Sequence, residues 1–248
     1  MQLSKIWIDL FRSFDKKKIF YWLDWGTLLG AIRDKKIFDW DHDIDVSVHY
    51  KEINKILIIL EKYKKLGFSI VIQKNLPYLD NIIQVYPPKN KGEKFFPKSL
   101  DIYIYKKYNN NYVMRWLHQP QGKFRSFFKY CIAIMRKLNR AYLSNPNYTI
   151  KNINLVINHI LLSLLMKSNC RFDIIPGKFF EQFTKISFYG MEFNTPRLYK
   201  GYLEYLYGKN WTKPDPNWNW RKGNPKKKRN ASLIPKPKLD DDITDFYK

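Results

Sequence analysis

The sequence predicts an α+β fold with a helical insertion and an extended basic tail. Three observations carry that prediction: apolar residues at helical spacing in several separate segments, short alternating stretches between them, and loss of all periodicity beyond Lys213. Leu3, Ile6, Trp7, Leu10, Phe11 and Phe14 mark an amphipathic helix over 2–17. Residues 19–25, IFYWLDW, form the pattern of a buried strand, and Gly26-Thr27 that of the turn after it. Thr27 is the expected cap of a short helix, LLGAIRD, which leads into a loop through Asp39 and Trp40. Residues 43–48, DIDVSV, alternate as a strand does. Ile53, Ile56, Leu57, Leu60 and Tyr63 define a second amphipathic helix that stops near Gly67. Strands are expected at 68–73, 81–86, 99–105 and 112–116, with the Pro/Lys/Gly-rich stretch 87–98 as a long loop. Helices at 124–142 and 152–167, broken at Asn145-Pro146, make up an insertion over 123–170. ISFYGMEFNTP has the form of two strands around a glycine turn, and RLYKGYLEYLYG that of a helix ended by Gly208. The expected organisation is one catalytic domain over 1–212 and a Pro/Lys-rich tail over 213–248, without internal repeats.

Composition narrows the classes. With 248 residues, 45% of them hydrophobic and 17% aromatic, the chain can bury a sizeable core, which excludes disorder over most of its length. Cys131 and Cys170 are too few for a disulfide framework, and no CxxC pair or His/Cys cluster points to zinc, so a reduced compartment is expected. Asp9, Asp15 and several lysines interrupt the N-terminal apolar runs, unlike a signal peptide, and the longest apolar stretch, 153–166, is short for a membrane span. The expected location is cytoplasmic, with peripheral contact at an anionic membrane surface as its extension. The net charge of +23 attracts phosphate-rich partners, whether nucleic acid, membrane or nucleotide-linked donors. A Lys-, Asn- and Ile-rich bias accounts for much of the scattered lysine, so charge does not choose among them. The run Pro225-Lys226-Lys227-Lys228-Arg229 has the same two readings, polyanion binding or a solvated tail.

The chemistry lies in Gly26-Thr27 followed by Trp40-Asp41-His42-Asp43-Ile44-Asp45-Val46. On a strand, Asp41, Asp43 and Asp45 project together while Ile44, Val46 and Val48 face the core. Carboxylates so close repel unless a cation lies between them, and hard oxygen ligands suit Mg²⁺ or Mn²⁺. Asp101, alternating against Leu100 and Ile102, is a third acidic position. Asp43, Asp45 and Asp101 delivered to one sheet edge would form a metal-assisted phosphoryl-transfer site. Gly26 and Thr27 before a helix let backbone N–H groups approach phosphate, and the planar fork of Arg33 suits the same anion. Competing readings are a structural acceptor role for Asp41, a pairing of Arg33 with Asp34 or Asp39, and a His42 turned away from the ion.

DWGTLLGAIRDKKIFDWDHDIDVSV resembles the signature of the LicD/fukutin family, which includes bacterial phosphocholine transferases and fukutin-related protein. The likeness runs through Gly26, Thr27, Leu28, Leu29, Gly30, Arg33, Trp40, Asp41, Asp43 and Asp45. SLDIYIY is similar to a later segment that makes Asp101 the third carboxylate, and FYGMEFNTPRLYKGYLEYLYGKNWTKPDP to a C-terminal stretch of that family. Trp25 stands where the family pattern has its first glycine, and Asp34 and Lys36 also depart from it. The resemblance implies a nucleotidyltransferase fold, a small mixed sheet flanked by helices with metal-binding aspartates on adjacent strands. It further implies transfer of phosphocholine, ribitol phosphate or a similar group from a CDP-linked donor to a glycan or glycolipid hydroxyl, with CMP leaving. The alternatives are nucleotidyl transfer with release of pyrophosphate, and a non-catalytic module binding membrane or nucleic acid. Three converging carboxylates argue against the last, and nucleic acid is the least favoured partner.

Overall fold

A computed structural model describes residues 2–76, 80–88, 94–108, 112–116, 126, 127, 130, 133, 134 and 172–215. Five described residues within 124–142 are helical; the remainder of that expected helix, the helix expected at 152–167 and most of the tail lie outside the described residues. The chain divides into two compact units, one of residues 1–73, 82–105 and 176–227, the other of residues 74–81, 106–175 and 228–248.

In the first unit, α1 (Lys5–Lys16) precedes β1 (Tyr21–Leu23), α2 (Trp25–Arg33), β2 (Asp43–His49) and α3 (Ile53–Lys65). Then come β3 (Ser69–Leu76), β4 (Asp80–Tyr86) and β5 (Ser99–Tyr108), whose ends reach into the second unit. After the second unit the chain returns through β8 (Phe183–Phe188), β9 (Met191–Pro196) and α4 (Tyr199–Tyr207). The strand order is β3-β4-β5-β2-β1-β9-β8. β2 runs parallel to β5 and β1 to β9, while the β1–β2, β4–β5 and β8–β9 pairs are antiparallel. This is the mixed sheet flanked by helices that the resemblance implied. In the second unit, β6 (Tyr112–Trp116) pairs with the end of β5 and with β7 (Phe172–Pro176), a strand that the sequence patterns did not reveal.

Strand alternation gives the two faces of the sheet different work. Tyr21, Leu23, Val46, Val48, Leu100, Ile102 and Ile104 share one face, and all are buried. Helix α1 covers it: Phe11 stacks on Tyr21 at 5.5 Å and meets Phe193 edge-on at 5.2 Å. Trp7, Leu10, Phe11 and Phe14 are fully buried there, and each such side chain contributes about 1.5–3 kcal/mol. Trp7 Nε1 also donates to Pro97 O at 2.6 Å, tying α1 to the loop before β5. The opposite face carries Trp22, Asp45, Ser47, Asp101, Tyr103 and Tyr105, and α2 and α4 deliver side chains to it. Helices α3 and α4 end before Gly67 and Gly208, both at positive φ, where the sequence places their stops.

The start of α2 differs from expectation. Helix α2 begins at Trp25, two residues before the cap expected at Thr27, and Asp24 is its N-cap, accepting from Trp25 N at 2.8 Å. Thr27 lies inside the helix because its hydroxyl is engaged across the sheet.

Candidate active site

The short step from β1 into α2 brings a helix N-terminus down on the first residues of β2. Asp45 N donates to Thr27 Oγ1 at 2.7 Å, and Thr27 N and Oγ1 lie 3.3 and 3.4 Å from Asp45 Oδ2. This reciprocal clamp fixes the Asp45 carboxylate, which is only 6% exposed. Gly26 keeps the approach open: a Cβ there would stand a tight 3.1 Å from Asp41 Oδ2 and 3.5 Å from Asp45 Oδ2. Gly30 answers a second contact, since a Cβ there would collide with Lys36 O.

Carboxylate oxygens of Asp41, Asp43 and Asp45 all lie within 4.8 Å of one another. In the parallel β2–β5 ladder Asp101 stands directly opposite Asp45, and Gln84 of β4 stands opposite Asp101. Gln84 Nε2 donates to both Asp101 oxygens at 3.2 Å. The ladder sets Asp101 opposite Asp45, on the face the alternation assigns to both, whereas the tight carboxylate group consists of Asp41, Asp43 and Asp45 and does not include Asp101. His42, between the aspartates, is exposed and outside that group.

Electrostatics mark the cluster as incomplete. Burial, followed by the charges of Asp43, Asp41 and Asp101, pushes Asp45 well above the usual carboxylate range. Asp41 is pushed up to about 7, first by burial and then by its hydrogen bond to, and the charge of, Asp43. Tyr86, opposite the start of β5, is raised by burial and by the charges of Asp101 and Asp43, which puts its ring at the same edge. Such crowding is relieved by a cation, and an all-oxygen carboxylate set fits a hard divalent ion. The residues present therefore fit Mg²⁺ or Mn²⁺.

Arg33 is at the far end of α2, about 10 Å of helix rise from Gly26. Its Nε reaches both Asp34 oxygens at 3.1 Å, Nη2 reaches Asp34 at 2.9 Å, and Nη1 donates to Trp211 O at 3.3 Å. The guanidinium also lies 5.0 Å from the Phe38 ring centroid. Of the two alternative partners, Asp34 is the one observed, while Asp39 pairs with Lys36 at 2.8 Å. Trp40 stacks on Phe38 at 4.9 Å and is 71% exposed.

Behind the cluster sits a carboxylate that the sequence reading passed over. Asp24 is fully buried and accepts from Trp25 N, Ser47 Oγ, Tyr105 Oη at 2.9 Å and Tyr202 Oη at 2.7 Å. Burial raises its pKa, against the opposing effect of those hydrogen bonds. Trp25, beside it, has φ +46°, a left-handed conformation costing a non-glycine residue about 1–2 kcal/mol. Its ring leans on Tyr103 at 6.0 Å and 44°. The departure from glycine at this position was legible; the backbone conformation that favours glycine there was not.

Comparisons with known proteins place the chain among relatives. The lipopolysaccharide cholinephosphotransferase LicD of Haemophilus influenzae is 26% identical over 176 residues, covering 67% of this chain and 64% of that protein. An uncharacterised protein of Rickettsia prowazekii is 28% identical over 74 residues, 30% of this chain and 28% of its own length. One from Rickettsia typhi is 33% identical over 70 residues, 28% of this chain and 23% of its own. The chain thus spans less than two thirds of each of these relatives. Among solved structures, the lincosamide antibiotic adenylyltransferase LnuA is matched over 82% of this chain and 86% of that one, at 11% identity and TM-score 0.40. Among the described residues, no helix is long and apolar enough to cross a membrane. The family model of the LicD/FKTN/FKRP nucleotidyltransferase domain matches residues 18–147, just over half of the chain and the whole aspartate site from Gly26 to Asp101. With its clamp, its carboxylates and this match in agreement, the chain belongs to the LicD/FKTN/FKRP family.

Proposed function

We propose that the chain is a metal-dependent transferase that moves a phosphate-bearing group, such as phosphocholine or ribitol phosphate, from a CDP-linked donor to a glycan or glycolipid hydroxyl. The observation that carries this reading is the ladder register that sets Asp101 against Asp45, beside the group of Asp41, Asp43 and Asp45. Asp43 and Asp45 hold the divalent ion, Asp101 supports it from the neighbouring strand, and Asp41 completes the set. A bound Mg²⁺ or Mn²⁺ supplies neutralisation of the donor's phosphate charge and polarises its phosphoryl oxygen. The acceptor hydroxyl attacks the phosphorus bearing the transferred group, the bond to the CMP oxygen breaks, and the hydroxyl proton passes to a carboxylate of the site.

Gly26, Thr27 and Arg33 form the donor-phosphate side in this reading. Thr27 acts there through Asp45, which it clamps, and Arg33 exchanges Asp34 for phosphate when donor binds. The catalytic domain is taken as 1–212, with an insertion at 123–170, and the basic tail at 213–248 draws an anionic glycan or membrane surface toward a cytoplasmic enzyme.

The test is to incubate the purified chain and Mg²⁺ with a panel of CDP-linked donors and extracted glycans, and to assay both CMP and pyrophosphate. Donor- and acceptor-dependent CMP release is expected. Pyrophosphate from a nucleoside triphosphate would instead make the chain a nucleotidyltransferase. Neither product, from protein that binds anionic polymer or vesicles, would make it a binding module.

A further inference from the structure

We propose that Trp25 is the specificity-determining wall of the donor site, admitting slim transferred groups and turning away bulky ones; the inference rests on the donor reading above. Trp25 sits at φ +46°, where glycine would be unstrained, so the backbone conformation itself does not call for a bulky residue. Its backbone lies between two fixed points. On one side Asp24 is locked by Ser47, Tyr105 and Tyr202; on the other Gly26 lies against Asp41 and Asp45.

The indole leans on Tyr103. Tyr103 follows Asp101 by two residues on β5, hence on the same face and about 7 Å along the strand. The ring therefore lies over the sheet face that carries Asp45 and Asp101, and it is half-buried. A donor whose phosphates meet a cation at Asp45 and Asp101 must run its next group along this indole. A glycine there would leave the space open.

The experiment compares the wild type with Trp25→Gly and Trp25→Phe, using CDP-ethanolamine, CDP-glycerol and CDP-ribitol as donors of increasing bulk. Mn²⁺-dependent donor binding is measured by calorimetry and turnover by CMP release, with melting temperature as the check on folding. Trp25→Gly should shift kcat/KM and affinity toward CDP-ribitol relative to CDP-ethanolamine by about tenfold or more, the scale set by a changed pocket wall. Its melting temperature weighs relief of the strained φ against loss of the half-buried indole's contacts, and Trp25→Phe retains part of those contacts. Trp25→Phe, which retains a ring, should keep the wild-type order of donors. An unchanged donor ratio in a folded Trp25→Gly protein would overturn the wall alone. Absence of CDP-donor binding by the wild type would overturn the wall and the phosphotransferase reading together.

Discussion

Two acidic spots share one face of the sheet and meet opposite surroundings. Asp24 is completely buried, yet every interaction found for its carboxylate is with a donor: one backbone N–H and three hydroxyls. Asp45 is almost as buried and receives Thr27, but its other charged neighbours are Asp41, Asp43 and Asp101. Both pKa values are raised and burial is the leading cause of each, so burial does not tell the two apart. The secondary causes do. At Asp24 they lower the pKa, as donors around a charge accepted by the fold must; at Asp45 most of them raise it further. A carboxylate completed by donors holds structure together, whereas one crowded by its own kind could be relieved by a cation, which is the reading proposed above.

The largest expected effect breaks the second spot. Asp43→Asn or Asp45→Asn should take turnover to background while the melting temperature stays level or rises, since shape is kept and one repelling charge is gone. Near wild-type turnover in either variant would refute the cation assignment.

Breaking the first spot should instead cost stability. Asp24→Ala leaves four buried donors without their acceptor and should destabilise the protein by about 3 kcal/mol or more in a urea titration. Tyr202→Phe, which removes one donor to that carboxylate, should cost about 1–2 kcal/mol. An Asp24→Ala protein as stable as wild type would mean that this carboxylate does not tie β2, β5 and α4 to the start of α2.

The smallest effect sharpens the contrast through pH. Because the folded state raises Asp41 from 3.8 to about 7, it holds that proton more tightly than the unfolded chain does. The stability this contributes is complete at low pH and is lost as pH rises toward about 7; Asp45 acts in the same direction. The cation-free melting temperature should therefore fall between about pH 5 and about pH 8, and Mn²⁺ should raise it more at the higher value, where it meets ionised carboxylates. A Mn²⁺ shift that is no greater at the higher pH would count against mutual repulsion in the cluster.

Much of the site was legible because its residues alternate with apolar ones on short strands. Asp43 and Asp45 stand among Ile44, Val46 and Val48, and Asp101 between Leu100 and Ile102, so each was assigned a face before any partner was known. Asp41 was harder. It precedes β2, and whether it joins the cluster depends on the turn in which Asp41 N donates to Phe38 O at 2.9 Å. Gln84 and Tyr86 reach the site only through the β4–β5 register, and Tyr202 lies 178 residues from the carboxylate it serves. No local pattern signals pairings of that separation. For Arg33, the local partner Asp34 was legible and the distant one, Trp211 O, was not.

By itself, then, the sequence determined which side chains share a face and where helices stop. Alternation and the 3.6-residue period are local properties, and a one-residue slip in DIDVSV would turn its apolar set out of the core. The tertiary structure alone decided that β2 pairs in parallel with β5, so that Asp101 meets Asp45. It also decided that α2 starts at a strained Trp25, which brings Gly26 against two carboxylates and Thr27 onto Asp45. These outcomes follow from packing between segments distant in the chain, where the energy lies in complementary surfaces and satisfied hydrogen bonds rather than in any residue's own preference.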